Sequence, residues 1–284
     1  MCNEDELFSI LRILILCCSV LSLLASILII VIYVVYKDIQ TLSFKILVCI
    51  SVSDLLRSIA LIYPMKWYNI KFLCYLAAII SNCSLTTNAV WSIYIMFIVS
   101  QLYSSSYSEP KLYFKTWFII AFVLSPIFHT LPLITNSYGQ NEGICTYKND
   151  DTGLIWRTIQ QSLITLVLLI ALILYSQIFI KLINLKILTF KEIIFEKGMI
   201  YSIIFVVAIC LILAYRLSEI SLGLCDNFPL AVLSYGLLSL HGFLNFLATF
   251  YNRNFRGTLL LIFCCKKSKR SESVDFLDLI RFGD

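Results

Sequence analysis

Charged side chains are scarce in this sequence. Of its 284 residues only 14% are Asp, Glu, Lys or Arg, whereas 60% are hydrophobic and the mean hydropathy is +0.89. A soluble domain of this length needs far more charge to cover its surface. The composition therefore excludes an ordinary water-soluble fold and predicts an integral membrane protein.

The residues that metal and cofactor chemistry needs are also scarce. His129 and His241 are the only histidines, and they fall in separate apolar runs, so no metal site is expected. The last long run, 229–251, contains no lysine for a retinal Schiff base. A glycine-rich phosphate loop and a nucleophile motif are absent as well. The sequence predicts no catalytic activity and no cofactor.

The sequence contains several long apolar runs. Each is longer than the roughly 17 residues that cross the hydrocarbon core of a bilayer as a helix. Continuous runs, rather than short alternating segments, argue against a transmembrane barrel. The prediction is an all-α membrane protein with a seven-transmembrane helix bundle over 13–251, after a short N-tail at 1–12. The predicted spans are about 13–36, 44–64, 73–102, 113–134, 156–182, 198–222 and 229–251.

Lysine and arginine are distributed unevenly between the loops. If the N-terminus is outside, fifteen of them fall on the inner loops and tail and five on the outer side. This positive-inside bias predicts an extracellular N-terminus, a cytoplasmic C-terminus and a plasma-membrane location. The net charge of +5 is then a feature of topology and predicts no nucleic-acid partner. The acidic leader MCNEDE predicts no cleaved signal peptide.

Four cysteines fall on the predicted outer side. Cys74 begins the third span and Cys145 lies within the loop TNSYGQNEGICTYKNDDTG, so a disulfide between them is expected in an oxidising compartment. It would close a loop of about 70 residues, which is worth about 4 kcal/mol in the chain-entropy treatment. Cys2 and Cys225 are the other two outer thiols, and whether they form a second pair stays open.

Charged residues inside the spans each require a partner, because an unpaired charge at bilayer depth is costly. Asp54 and Arg57 share a helix face at i,i+3, so an internal ion pair is expected, either structural or part of a switch. Arg216, with Glu219 one turn further out, and Arg157 lie under the outer loops. They either reach lipid headgroups or grip an anionic ligand, for which a guanidinium is well shaped.

Polar residues form stripes along two of the predicted spans. Because lipid offers no hydrogen-bond partner, these stripes are expected to face other helices, as packing contacts or as a relay. We count Asn88 with the ligand-binding residues, and His241 and Asn245 with the switch or packing residues. The stripes are Ser81, Ser84, Asn88 and Ser92 in the third span, and His241, Asn245, Thr249 and Asn252 in the seventh.

A cationic segment follows the last span. Residues 252–265 predict a short amphipathic eighth helix at the membrane interface, followed by a cytoplasmic tail at 266–284. Cys264 and Cys265 precede Lys266 and Lys267, a pattern typical of palmitoylated cysteines beside residues that contact anionic lipid. The alternative is two inert, reduced thiols.

Several segments carry a family resemblance. They are LCYLAAI at the start of the third span, with Trp91 further along it, AYRLSEI in the sixth, LHGFLNFLATFYNRN in the seventh, and Asp54 in the second. Together they resemble G-protein-coupled receptors, and more narrowly the cyclic-AMP-receptor-like group, class E. The resemblance extends across nearly all of 1–265. Trp91 is placed with the switch or packing residues on this basis.

The chain departs from rhodopsin-like receptors in three places. Its third span ends in IVSQLYSSSYSEP rather than an acidic–Arg–Tyr triplet, its sixth has no proline, and its seventh lacks an Asn-Pro-x-x-Tyr element. The resemblance implies an extracellular small-molecule ligand and a heterotrimeric G protein as partners, with membrane lipid around the bundle. The alternative is a small-solute transporter or channel, although no internal repeat of the kind typical of transporters is visible.

Overall fold

The architecture is that of a computed structural model of the chain, and it is almost entirely helical. The structure describes residues 4–37, 40–62, 70–102, 110–141, 144–184 and 199–250, with the side chains of 4–5, 102, 110–112, 181–184 and 219–225 left out. Backbone groups in lipid must be satisfied within their own segment, which is why long apolar runs become helices. The helices are α1 (Glu4–Val35), α2 (Leu42–Ile62), α3 (Lys71–Leu102), α4 (Pro110–Ile119), α5 (Ser125–Thr130), α6 (Asp151–Asn184), α7 (Met199–Ser239) and α8 (His241–Thr249).

The described helices form an all-α membrane bundle. Five helical stretches in the described part of the chain are long and apolar enough to cross a membrane. The end of α7 and α8 form a bent pair that makes a sixth. The helix α2 has 21 residues, which is a spanning length, but it contains Lys45, Asp54 and Arg57 and is therefore less apolar. The charged residues Asp54 and Arg57, which make α2 less apolar, also belong to the candidate site.

The fourth predicted span is a chain of short helical pieces. Between α4 and α5 the backbone widens into a π-helical turn, Ile120–Leu124, and a 3-10 turn, Leu131–Leu133, follows α5. Pro126 cannot donate a backbone hydrogen bond, so the regular ladder is interrupted near it. Thr87 of α3 donates to the carbonyl oxygen of Ala121 at 2.8 Å and so satisfies an acceptor within the π turn.

The sixth predicted span and the first half of the seventh lie on one continuous helix, α7, where we expected a loop at about 223–228, and the second half of the seventh lies on α8. The chain nevertheless reverses direction within α7. The evidence is that Arg216 Nη2 donates to the hydroxyl of Tyr235 at 2.6 Å. On a straight helix these residues would be about 28 Å apart. The two arms are Met199–Ser218 and Asp226–Ser239, and the second bends by 55° into α8.

A β-hairpin covers one end of the bundle, hereafter the hairpin end. Strands β1 (Tyr138–Asn141) and β2 (Ile144–Tyr147) pair antiparallel, with Gln140 opposite Cys145. This hairpin was not predicted within the loop between the fourth and fifth spans. In β2 the buried Cys145 and Tyr147 alternate with the less buried Ile144 and Thr146, which is the period-two pattern of a strand.

Helix α3 is central to the bundle and contacts α2, α5, α6, α7 and the hairpin. At its other end a group of aromatic rings packs against α4, with the fully buried Trp91 and Tyr94 near its centre. The ring centroids of Trp91 and Phe114 are 5.5 Å apart, and those of Tyr94 and Trp117 are 5.4 Å apart. Trp91 is therefore a core packing residue, and its role in switching stays a prediction.

Candidate functional site

The hairpin is fixed over the bundle by a disulfide and by tyrosine contacts. Cys74 and Cys145 are bonded, with their Cα atoms 5.3 Å apart, which confirms the predicted pair. The rings of Tyr138 and Tyr147 stack with centroids 5.1 Å apart, and the Tyr138 hydroxyl donates to the carbonyl oxygen of His129 at 2.8 Å. Burial raises the pKa of Tyr147 to about 12, so this phenol stays neutral at physiological pH.

Arg157, in the second turn of α6, is fastened to this hairpin end. Its Nη2 donates to the carbonyl oxygen of Tyr147 at 3.1 Å and to Oδ1 of Asn149 at 2.8 Å. Both acceptors are neutral. These contacts therefore fix the position of the guanidinium and leave its positive charge unpaired by them. This geometry differs from that of an arginine reaching out to headgroups, because the side chain is held against the hairpin.

Arg216 is held by aromatic residues on the two arms of α7. Besides its hydrogen bond to the Tyr235 hydroxyl, its guanidinium carbon lies 5.4 Å from the ring centroid of Tyr215 and 5.8 Å from that of Tyr235. Such cation–π contacts stabilise a guanidinium without removing its charge. Glu219, the expected partner one turn away, has a side chain outside the described part of the chain.

Arg57 does not form the ion pair with Asp54 that the sequence predicted. The long Arg57 side chain lines a cavity at the hairpin end, while the short Asp54 side chain contacts α3 and α8. Arg57 is only 7% exposed, and its Nε and Nη1 atoms have no hydrogen-bond partner among the described residues. The i,i+3 spacing puts both on one face but does not bring their charged ends together.

The three arginines Arg57, Arg157 and Arg216 line the same cavity beneath β2. Its volume is about 110 Å³, which is room for several water molecules or one small organic molecule, since a single water needs about 10–15 Å³. None of the described lining residues is an aspartate or a glutamate. The rest of the lining is partly apolar, with residues such as Leu85, Ile164 and Ile212, and partly uncharged and polar. The polar residues are Ser81, Asn82, Thr146, Tyr147, Gln160, Gln161, Tyr235 and Ser239.

Guanidinium groups stay protonated in proteins, so this cavity concentrates positive charge in a low-dielectric setting. Arginine also binds carboxylate and phosphate through two parallel hydrogen bonds. The amide of Gln160 donates to Oδ1 of Asn82 at 3.1 Å, which ties α6 to α3 at the cavity wall. The arrangement is suited to binding a small anion rather than to acid–base catalysis.

A second polar cluster is centred on Asp54 and fully buried. Asn88 of α3 donates to Oδ1 at 2.7 Å, and Asn245 of α8 donates to Oδ2 at 3.2 Å. His241 Nδ1 lies 2.9 Å from Oδ1 and 3.1 Å from Oδ2. The structure thus brings together three of the expected switch or packing residues, Asp54, His241 and Asn245. It places Asn88 with them instead of in the cavity lining.

The cluster lies beside the bend between α7 and α8, where helices approach closely. The backbone N–H of Gly242 donates to the Ser22 hydroxyl of α1 at 3.1 Å. A Cβ atom on Gly242 would lie 2.4 Å from Ser22 Oγ and 2.7 Å from Ser26 Oγ. Only glycine fits this contact, so α1 and α8 meet through small residues at the level of Asp54.

Several predictions concern residues beyond the described part of the chain. These are the second disulfide between Cys2 and Cys225, the interfacial helix at 252–265, and the palmitoylation of Cys264 and Cys265. Among the described His, Cys, Asp and Glu residues, no group of three or more is placed to hold a metal ion. Thr249, from the predicted stripe, is buried and donates to the carbonyl oxygen of Phe246.

Comparison with solved structures identifies the fold. The crystal structure of squid rhodopsin superposes with a TM-score of 0.63, covering 95% of this chain and 90% of that one, at 16% sequence identity. At this identity the likeness shows the fold alone: the chain has a rhodopsin-like, GPCR-like helical fold. No protein-family profile matches the sequence, and no curated protein matches it.

Arg57, Gln160 and Tyr235 line the cavity but were not predicted from the sequence to do so. Arg57 was assigned to Asp54 because the two are one turn apart, and spacing along one helix carries no information on the neighbouring helices. The signal for Gln160 was available, because it lies one turn beyond Arg157 on the same apolar helix.

Proposed function

We propose that this protein is a G-protein-coupled receptor that recognises a small anionic ligand in the arginine-lined cavity and activates a heterotrimeric G protein. The observation that carries the proposal is the meeting of Arg157 and Arg216 in one cavity under a disulfide-fixed hairpin. A bundle with a GPCR-like fold and a cationic cavity at one end is suited to ligand recognition by the helices themselves. The cavity opens on the predicted extracellular side of the plasma membrane.

Ligand binding acts on a pre-existing equilibrium between inactive and active states by contacting the two states differently. Arg216 lies near the end of the first arm of α7. An anionic ligand that forms an ion pair with Arg216 therefore moves that arm. We assign Glu219 as the intramolecular acid that occupies Arg216 when the cavity is empty. Asp54, His241 and Asn245 then couple this movement to the bend between α7 and α8.

Within the receptor class, the sequence resemblance supports membership of the cyclic-AMP-receptor-like group. The arguments for it are the LHGFLNFLATFYNRN segment and the missing rhodopsin-like motifs. Palmitoylation at Cys264 and Cys265 is proposed as an additional lipid contact of the tail.

The deciding experiment is guanine-nucleotide exchange on co-expressed G proteins, screened against anionic metabolites and cyclic nucleotides. An anion that raises exchange identifies the ligand. In Arg216→Ala its potency should fall at least about ten-fold, which corresponds to about 1.4 kcal/mol. Arg216→Lys should recover part of the loss, because an ammonium keeps the charge but not the planar fork.

Two controls complete this test. Lys45→Gln removes a cation from an exposed position of α2 that does not line the cavity, and should leave potency unchanged. Uptake of labelled anions into proteoliposomes without G protein separates the receptor from a small-solute transporter or channel. Flux without any nucleotide exchange, or unchanged potency in Arg216→Ala at matched surface expression, would overturn the proposal.

A further inference from the structure

Arg57 is a buried cation whose charge is not matched by its immediate contacts. It is 7% exposed, and both Nε and Nη1 are enclosed without a hydrogen-bond partner among the described residues. Leaving donors of a charged group unsatisfied in the protein interior costs several kcal/mol. A protein that keeps such a group has a use for it, and the group lines the cavity that also contains Arg157.

The nearest acid cannot serve as the missing partner by direct contact. Both carboxylate oxygens of Asp54 are engaged by nitrogen donors from α3 and α8, at 2.7–3.2 Å. The only described ion pair of Asp54 within 4 Å is with His241. The Asp54 carboxylate is therefore bound by α3 and α8 and attracts Arg57 without direct contact, while Arg57 lines the cavity.

Arg57 and Arg157 reach the cavity from different parts of the fold. Arg57 belongs to the middle of α2, close to the buried Asp54 cluster, whereas Arg157 is fastened to β2 at the hairpin end. The two hydrogen-bond acceptors of Arg157 among the described residues, a backbone carbonyl and an amide oxygen, are neutral. With no acidic residue among the described lining residues, the cavity carries more positive charge than a single anionic group would balance.

We propose that Arg57 holds a second anionic group, so that the ligand is a compact dianion with its two charges at opposite ends, such as a short dicarboxylate. This inference rests on the proposed function and names its ligand class. One acidic group pairs with the guanidinium of Arg57, and the other pairs with the arginines at the hairpin end. The apolar lining residues Leu85, Ile164 and Ile212 contact the connecting chain, and Gln160, Gln161 and Ser81 supply further polar contacts to the carboxylates.

This ligand class differs from a cyclic nucleotide, which carries a single phosphodiester charge and a large base. A monoanion would pair with the arginine charge at one end of the cavity and leave the charge at the other end unbalanced, as it is when the cavity is empty. The dianion alone satisfies both ends of the cavity.

The test measures thermal stabilisation of the purified full-length chain in phosphatidylcholine nanodiscs, which contain no anionic headgroups. The probes are linear dicarboxylates of increasing chain length, monocarboxylates of the same lengths, inorganic phosphate and cyclic AMP, all at one ionic strength. We expect dicarboxylates to raise the melting temperature, with an optimum at one chain length. The matched monocarboxylates should bind at least about ten-fold more weakly.

Arg57→Gln distinguishes a ligand residue from a structural one. Removing an unmatched buried charge should leave the empty protein as stable as the wild type or more stable, while the preference for dicarboxylates disappears. A structural role predicts the opposite, a less stable empty protein with an unchanged preference. Lys45→Gln, on the exposed part of the same helix, is the matched control and should change neither quantity.

The outcomes separate this inference from the proposed function. Equal binding of mono- and dicarboxylates that needs Arg157 and Arg216 but not Arg57 overturns the dianion and leaves an anion receptor. Selective dicarboxylate binding that needs Arg57, without nucleotide exchange, supports the dianion site and overturns the receptor. Stabilisation by cyclic AMP alone, or by none of these anions, overturns the inference.

Discussion

At the scale of single residues, Asp54 is held by hydrogen bonds from three side chains. Its carboxylate is buried and accepts from donors on two other helices, which replaces the hydration it loses in the interior. The cluster is only partly satisfied, because Nε2 of His241 and Oδ1 of Asn88 have no partner among the described residues. A partly satisfied buried network is sensitive to the loss of any one member.

The interaction between His241 and Asp54 should therefore be measurable as a coupling free energy. His241→Leu removes a donor from the carboxylate and should lower the free energy of unfolding by about 1–3 kcal/mol. In the Asp54→Asn background the same substitution should have a smaller effect, because the acceptor is no longer charged. A double-mutant cycle of melting curves tests this, and additive effects would contradict a direct interaction.

At the scale of elements, the contact between α1 and α8 depends on one glycine. In Gly242→Ala the new Cβ would lie 2.4 Å from Ser22 Oγ and 3.1 Å from Asp54 Cβ, so the helices must move apart. We expect a loss of about 1–3 kcal/mol in the free energy of unfolding, as for other overpacked contacts. Thermal denaturation of the purified protein is the measurement.

Gly236→Ala is the matched control in the arm that precedes the bend. There the added Cβ would meet only Leu14 Cδ2, at 3.5 Å, which is an ordinary contact. Replacing a helical glycine by alanine should then be neutral, or stabilising by about 0.5–1 kcal/mol. Equal destabilisation by both substitutions would show that helix propensity, and not the close approach, sets the effect.

The start of α6 depends on a carboxylate cap. The backbone N–H of Gly153 donates to Oδ1 of Asp150 at 2.7 Å, and the Thr152 hydroxyl donates to the same atom at 3.0 Å. These hydrogen bonds, the backbone one foremost, lower the pKa of Asp150 below its ordinary value of 3.8. This cap orients the first turns of α6, and with them Arg157.

A lowered pKa in the folded state makes stability depend on pH in one direction. The stabilisation from Asp150 is fully present above the ordinary pKa and is lost as the pH falls from there through the lowered pKa. The difference in melting temperature between wild type and Asp150→Asn should therefore be largest at neutral pH and shrink below about pH 4. A difference that stays constant or grows in acid would contradict this assignment.

At the scale of the whole molecule, the disulfide joins the hairpin to the central helix and so holds β2 against the cavity. Cys74→Ser or Cys145→Ser should remove up to about 4 kcal/mol of stability and lower surface expression and ligand response. Cys210→Ser changes a free, exposed cysteine of α7 and should have little effect. Non-reducing mass spectrometry checks the bond directly, and two free thiols in the native protein would contradict it.

Much of the fold followed from the hydrophobic pattern, because spanning a bilayer is a requirement that each segment must meet by itself. Long apolar runs gave the helices, although the structure extends α1 back to Glu4 and α6 from Asp151 to Asn184. The hairpin was missed because its strands are four residues long and sit in a polar loop. The expected loop before Pro229 is replaced by helical backbone, which local composition did not indicate.

The sequence by itself determined the membrane class, the helices and the cysteine pair, because composition, segment length and redox chemistry are local or compartmental properties. It also identified Arg157 and Arg216 as cations that require a partner. Only the tertiary structure decided which charges meet. Asp54 pairs with His241, 187 residues away, rather than with Arg57 three residues away, and Arg57 joins the distant arginines around the cavity. The physical reason is that side-chain direction and helix packing, not spacing along one helix, set the distances over which charges interact.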